Sequence, residues 1–180
     1  MNYDIYKGVR NASWKCLIDC KIISLPTKLD KICKTNGIQI KKNSALSKNK
    51  LLPNERGKTN YIDGKCFIIV NDTDQYQAQR YTIAHEIGHV LLGECSEYEA
   101  ERFAIDILAP ACVLWALNAN TPYEIAKLCD ISITAAKNRA KRMKILNQRN
   151  MFLTHPLERM VYKQFEPFIQ AKKLMATSCH

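Results

Sequence analysis

The sequence predicts an α+β fold, a mainly helical single domain with a small sheet. Three observations support this prediction. The chain has 180 residues, the length of one ordinary domain. Long stretches repeat apolar residues at helical spacing, whereas only the short stretches 38–41 and 66–70 have the composition of strands. Apolar residues make up 47% and charged residues 24% of the chain, which are ordinary values for a globular protein.

The predicted elements have recognisable boundaries. An opening helix over 3–22 is broken at Leu25-Pro26, and a second helix over 28–35 stops at Asn36-Gly37. Residues 42–60, between the two strands, are polar and contain turn signals. Further helices are predicted over 75–92, from Ser96 to Pro110, and near 111–117, 122–129, 133–146 and 156–170.

Composition excludes a membrane-spanning protein. The longest apolar run is 111–117, whereas a span needs about 18 residues. The first residues carry an early acid and lack the apolar segment of a secretory signal. We therefore expect a soluble, cytoplasmic protein with no membrane partner.

The chain is basic and rich in cysteine. Its 27 Lys+Arg against 17 Asp+Glu give a net charge of +10, which favours polyanions or acidic partners unless it only forms a solvated lysine-rich surface. The eight cysteines include no CxxC pair, and most lie in apolar runs. We expect them to be reduced thiols in the core.

The chemistry is concentrated in the HExxH sequence at 85–89. Residues four apart on a helix share one face, so His85 and His89 can bind one metal ion. Glu86 can then take a proton from metal-bound water. Zinc suits two imidazoles and a carboxylate with one open position.

A third ligand is expected on the next helix, which should run back antiparallel after Gly93. Glu97 lies in its first turn and is positioned to complete the metal set. The alternative for Glu97 is an acid that only complements the helix dipole. Glu101, one turn on, could accept the ring N–H of a ligand histidine. Glu99 is instead explained as the capping-box partner of Ser96.

These residues resemble a known family. The segments RYTIAHEIGHVLL (80–92), EYEAERFA (97–104) and ILAP (107–110) are similar to the motifs of the ImmA/IrrE metallopeptidases, and the match covers 66–110. Glu101 stands where that family usually has Asn or Asp.

The resemblance implies a fold, a site and a substrate class. His85, His89 and Glu97 would be the zinc ligands and Glu86 the catalytic acid/base, in a thermolysin-like zincin core. The implied substrate is a helix-turn-helix repressor of a phage or mobile element, cleaved as an anti-repressor step in transcription regulation. We expect 1–120 to form this core and 121–180 a helical C-terminal extension packed on it.

Substrate docking and oxyanion binding are less defined by the sequence. The stretch 66–71 is predicted to be an edge strand that pairs with an extended peptide. Four residues are candidates for the oxyanion partner, although each is also explained as a structural or surface residue: Tyr61, Tyr81, Tyr98 and His155.

The segment 121–144 resembles a helix-turn-helix. Thr121 caps a first helix that begins with Pro122, and Ser132 caps a second. The second helix is basic, with Lys137, Arg139, Lys141, Arg142 and Lys144, as in a helix that contacts DNA phosphates. The alternative is a basic hairpin that packs on the protease or docks its substrate.

Two functions therefore remain open from the sequence. The first is a zinc endopeptidase that cleaves a regulatory protein. The second is a non-enzymatic, DNA-binding transcriptional regulator that uses 121–144, with zinc in a structural role. Only three convincing ligands are present, whereas structural zinc sites have four, which favours catalysis.

Overall fold

The helices and strands follow the apolar stretches and turn residues of the sequence. The computed structural model describes residues 3–177. In this range the elements are α1 (Tyr3–Asp19), α2 (Leu29–Thr35), β1 (Ile38–Lys42), β2 (Gly57–Ile62), β3 (Lys65–Val70), α3 (Tyr76–Leu92), α4 (Glu97–Leu108), α5 (Ala111–Ala116), α6 (Pro122–Cys129), α7 (Ile133–Gln148) and α8 (Pro156–Thr177). The fold is mixed α+β, mostly helical with a small sheet in one domain, as predicted.

The sheet has three strands in the order β1-β3-β2. Strand β1 runs parallel to β3, and β2 runs antiparallel to it. The prediction that 66–71 forms an edge strand is therefore wrong, because β3 pairs on both sides. Its successive residues Ile68, Ile69 and Val70 are all buried, which is the pattern of a central strand covered on both faces.

Strand β2 was not predicted, because its segment was interpreted as polar turns. Strands β2 and β3 form a hairpin whose two connecting residues, Asp63 and Gly64, both have positive φ, 50° and 72°. This is the combination required by a tight type I′ turn. The strand has few apolar side chains and pairs only with β3 within residues 3–177, which leaves it at the edge of the sheet.

Helices α3 and α4 pack closely against each other. Gly88 makes this possible, since a Cβ atom there would lie 3.2 Å from both Cα and the carbonyl oxygen of Ala100. Around the contact Ile87, Phe103 and Ile107 are fully buried. The close approach brings the start of α4 next to the end of α3, where the candidate ligands lie.

The long terminal helices complete the core. Helix α1 packs on α4, and α8 packs on α1 and α5, with Leu17, Phe165 and Ile169 fully buried. Helix α1 ends at Asp19, three residues before the predicted boundary. Helix α8 continues through Pro167 to Thr177, beyond the predicted end at 170.

Helices α6 and α7 form a hairpin that is linked to α3. Thr121 and Ser132 cap the two helices as predicted, and Asp130 between them has a left-handed conformation. Arg80 of α3 donates from Nε to the carbonyl oxygen of Asp130 at 3.2 Å, and Gln77 donates to its carboxylate at 3.1 Å. A helix-turn-helix identity for this hairpin, and a boundary at 120/121, stay predictions.

Two compositional expectations can be compared with the described residues. The seven cysteines between 3 and 177 are all free thiols, and six are buried, whereas Cys95 is half-buried. Cys179 lies outside the described residues. No helix in this part of the chain has both the length and the apolar character needed to span a membrane.

Candidate metal centre

His85 and His89 project from the same face of α3, one turn apart. Their Nε2 atoms are 3.1 Å from each other, and their rings meet edge to face. Both side chains are partly buried, at 15% and 25% exposure. The predicted pairing of the two imidazoles is therefore formed by the helix alone.

Glu97 comes to the same point from the first turn of α4. Its two carboxylate oxygens lie 3.1 Å from His85 Nε2 and 3.3 Å from His89 Nε2. The chain reverses between the helices at Gly93, which has a φ of 73°, and Ser96 then caps α4 with Glu99 in a capping box. Glu99 thus has the role predicted for it.

The three donors fit one metal ion. Their atoms all lie within 4.8 Å of one another. Tetrahedral zinc, with bonds of about 2.0–2.2 Å, holds its ligand atoms about 3.3 Å apart, close to the separations seen here. Glu97 is 78% exposed, so the group opens to solvent and leaves room for a further ligand. His85, His89 and Glu97 could therefore form a zinc site.

The second ring nitrogens of the histidines have different surroundings. Nδ1 of His89 lies 3.5 Å from Sγ of Cys95, in the turn between α3 and α4. Nδ1 of His85 is buried and has no hydrogen-bond partner among residues 3–177. The hydrogen bond that the sequence suggested, from a ring N–H to the carboxylate of Glu101, is not formed in this part of the chain.

Glu101 lies near Tyr81 of α3, and both side chains line the same cavity. The charge of Glu101 adds to burial in raising the pKa of the tyrosine to about 12.

Glu86 is on the same helix and is 8% exposed. Its Oε2 atom accepts a hydrogen bond of 2.8 Å from Oγ1 of Thr59 in β2. Gly57 starts the same strand, and a Cβ atom there would clash with Thr82 of α3. Sequence reasoning missed Thr59, because the only signal for β2 is the Asp63-Gly64 turn that follows it.

The four oxyanion candidates are dispersed. Tyr81 lies beside the metal centre, with its ring centroid 6.4 Å from that of His85. Tyr81 and Tyr98 line a cavity of about 810 Å³, together with Glu101. Tyr61 is 67% exposed, and the ring of His155 lies 5.2 Å from that of Trp14, tilted by 35°.

The basic residues of α7 divide into two groups. Arg139 is 3% exposed and donates to Asp106 at 2.8 Å and to the carbonyl oxygen of Ala109 at 2.6 Å. Arg142 donates to the hydroxyl of Tyr6 at 2.6 Å. Both are thus engaged inside the protein. The exposed basic residues are Lys137, Lys141 and Lys144.

The fold and the donor set define an α+β protein with a candidate His-His-Glu metal centre. The model of the Peptidase_M78 family, described as the IrrE N-terminal-like domain, matches residues 33–141, more than half of the chain. The chain belongs to this family, which confirms the resemblance found in the sequence and supports a metallopeptidase. A search of curated proteins finds no match.

Proposed function

We propose that the protein is a zinc-dependent endopeptidase that hydrolyses a peptide bond in a regulatory protein. His85, His89 and Glu97 hold the zinc ion, and Glu86 is the general base. The observation that carries the proposal is the convergence of these three donors from α3 and α4, with Glu86 directly after the first of them. The close packing of α3 and α4 at Gly88 supports a zincin type of core.

The chain supplies the acid–base chemistry. When bound, zinc supplies Lewis acidity that polarises the scissile carbonyl and acidifies water. Glu86 accepts the proton of the attacking water and delivers it to the leaving nitrogen. Thr59 holds the carboxylate of Glu86 by its hydrogen bond of 2.8 Å. Tyr81, whose raised pKa keeps its hydroxyl protonated, donates to the developing oxyanion.

Strand β2 and the neighbouring cavity provide a place for the substrate. Because β2 pairs only with β3 in the described part of the chain, its outer edge can accept an extended peptide as an added strand. The cavity beside Tyr81 combines apolar walls with charged groups, so it suits the side chains of a peptide. Strand β2 thus replaces β3 as the proposed docking strand.

The substrate class rests on the family. We propose a helix-turn-helix repressor of a phage or mobile element as the protein that is cut, and hence a cytoplasmic site of action. DNA binding by Lys137, Lys141 and Lys144 stays a separate hypothesis. It is not favoured, since Arg139 and Arg142 of the same helix are held internally.

Metal analysis and cleavage test the proposal together. The purified protein is loaded with zinc, its metal content is measured, and it is incubated with a repressor encoded beside its gene, with mass spectrometry of the products. We expect about one zinc in the wild type and in Glu86→Gln, and cleavage by the wild type alone. Glu97→Ala should lose the zinc.

Glu101→Ala is the matched control for Glu97→Ala, since it removes the same charge one turn along α4. It should keep its zinc. A folded wild type that takes up no zinc would overturn the metal centre. Zinc uptake with cleavage by Glu86→Gln equal to the wild type would instead overturn the role of Glu86.

A further inference from the structure

We propose that a second site, separate from the metal centre, binds a small phosphate-type oxyanion. The site is a cavity of about 160 Å³ between α1, α4, α7 and the start of α8. Its lining includes five arginines, and we call it the arginine cavity: Arg10, Arg102, Arg139, Arg142 and Arg149. The volume is many times the roughly 15 Å³ that one water molecule needs.

The charges that line the cavity do not balance. Two carboxylates, Asp106 and Glu158, line it together with the five arginines. Asp106 is already bound by two of them, at 2.9 Å from Arg102 and 2.8 Å from Arg139. Glu158 is buried and forms no ion pair within 4.0 Å among the described residues.

Three of the arginines form no ion pair within 4.0 Å in the described chain, although the charge of Arg10 acts on Glu158. Arg142 binds the Tyr6 hydroxyl, but its buried Nε atom has no hydrogen-bond partner. Arg10 lies over the Trp14 ring at 4.7 Å, and its guanidinium donates hydrogen bonds to the side chain of the neighbouring Asn11. Arg149 lies at the solvent-exposed edge of the same cavity and forms no ion pair in residues 3–177.

This cluster of arginines favours the binding of an anion. Like charges held close together at a partly buried site repel one another, and an oxyanion among them offsets that cost. The planar guanidinium fork matches the oxygens of a phosphate group in pairs, which a lysine ammonium does not.

The surroundings favour a small ligand over a nucleic acid. Tyr6 and Trp14 also line the cavity, but their rings are covered by arginine guanidiniums at 4.7 to 5.3 Å, and Trp14 also by His155. No aromatic face is therefore offered to a base. The ligand class is a phosphate group carried without a stacked base, either inorganic phosphate or the phosphoryl end of a small metabolite.

An anion bound in the arginine cavity would affect the packing of α4. Arg102 lines both this cavity and the one beside Tyr81. It lies on α4, the helix that begins with Glu97. An anion among the arginines would connect α1 and α7 to α4 and strengthen the packing of the helix that carries the third candidate ligand.

Calorimetric titration at fixed ionic strength tests the inference, with inorganic phosphate and glycerol phosphate as probes. We expect saturable binding at one site per chain. Arg10→Gln and Arg149→Gln should each weaken it about tenfold, because each removes a charge-assisted contact. Lys141→Gln and Lys144→Gln remove the same charge from exposed positions of α7 and should leave the affinity unchanged. Circular dichroism verifies that each variant is folded.

The probes separate the sources and exclude the metal centre. Tighter binding of inorganic phosphate identifies the free ion as the ligand class, and tighter binding of glycerol phosphate identifies a phosphorylated metabolite. Binding should persist in Glu97→Ala, whose metal centre is incomplete, so the outcome does not depend on the proposed protease. Absence of saturable binding, equal loss in the lysine variants, or arginine-dependent binding of duplex DNA alone would each overturn the proposal.

Discussion

Thr59 and Glu86 join the edge of the sheet to the HExxH helix through one hydrogen bond, 2.8 Å from Oγ1 to Oε2. The contact fixes one oxygen of the proposed general base. It also makes the position of that carboxylate depend on strand β2, along which a peptide substrate would add. The same strand would therefore position both the carboxylate of Glu86 and the peptide substrate.

Removal of this bond should lower kcat and leave KM nearly unchanged. We expect about a ten- to hundredfold loss for Thr59→Val, since hydrogen bonds to charged groups contribute about 1.5–3 kcal/mol and the proposed role of Glu86 lies in the chemical step. Thr59→Ser restores the hydroxyl and should recover most of the rate. Steady-state kinetics on the proposed repressor substrate measure both constants. A rise in KM at constant kcat would mean that Thr59 only supports the docking strand.

Gly88 should be irreplaceable for the geometry of the metal centre. A Cβ atom there would be 3.2 Å from the backbone of Ala100, so we expect Gly88→Ala to push α3 and α4 apart by a few tenths of an ångström. Overpacking of this kind costs about 1–3 kcal/mol, and the separation moves Glu97 away from the histidines. Chemical unfolding and zinc titration should show lower stability together with weaker metal binding.

Gly8→Ala is the control for that substitution, because Gly8 lies in α1 and a Cβ atom there meets nothing within 4 Å. Alanine is the better helix former, so this variant should gain about 0.5–1 kcal/mol in unfolding free energy. If Gly88→Ala were as stable as Gly8→Ala, the close approach of the two helices would not constrain the site.

The parts of the site that sequence could predict are those fixed by local geometry. Helical spacing alone places His85 and His89 on one face, and a short reversal at Gly93 makes Glu97 the nearest acid on the returning helix. The hydrogen bond expected between Glu101 and a ligand histidine is not formed among the described residues, because the contacts of that carboxylate depend on how the side chains of the two helices pack.

The parts that sequence could not predict depend on tertiary pairing. Strand β2 is mostly half-exposed and carries no alternating apolar pattern, so Thr59 resembled a loop residue. Arg139 and Arg142 were interpreted as surface cations for a similar reason. The sequence around them does not indicate that their partners, Asp106 and Tyr6, lie opposite them in the fold. The arginine cavity likewise exists only because helices distant in the chain meet there.

The buried ion pair of Arg139 gives a stability prediction. Arg139→Ala leaves Asp106 with Arg102 as its one remaining ion-pair partner in residues 3–177, and it also leaves the carbonyl oxygen of Ala109 without its donor. Removal of one partner of a buried pair costs about 3–5 kcal/mol. Urea unfolding should therefore show a large loss of stability.

Lys141→Ala is the matched control, because Lys141 is an exposed cation on the same helix. Its effect on the unfolding free energy should stay within about 0.5 kcal/mol. Equal stability of the two variants would indicate that Arg139 is free to contact a partner such as DNA. That result would restore the hypothesis of a nucleic-acid-binding helix.

Glu158 makes stability depend on pH in a defined direction. Burial raises the pKa of its carboxyl group, and the opposing effects of backbone N–H groups at 153–155 and of Arg10 are smaller. The folded state therefore holds this proton more tightly than the unfolded chain does. The stabilising contribution is complete below the unfolded pKa, and it is lost as the pH rises through the folded pKa.

The Glu158→Gln variant has no ionisable group at this position. Its stability should therefore lack the decrease that ionisation of Glu158 causes as the pH rises. We expect the stability of the variant relative to the wild type to increase from pH 4 to pH 7.5, a range that starts near the ordinary glutamate pKa of about 4.3. Urea unfolding of both proteins across this range measures the difference. Glu166→Gln, at an exposed position of the same helix, should show a smaller dependence on pH. A relative stability of Glu158→Gln that falls with rising pH would mean that an arginine, and not burial, dominates the surroundings of this carboxylate.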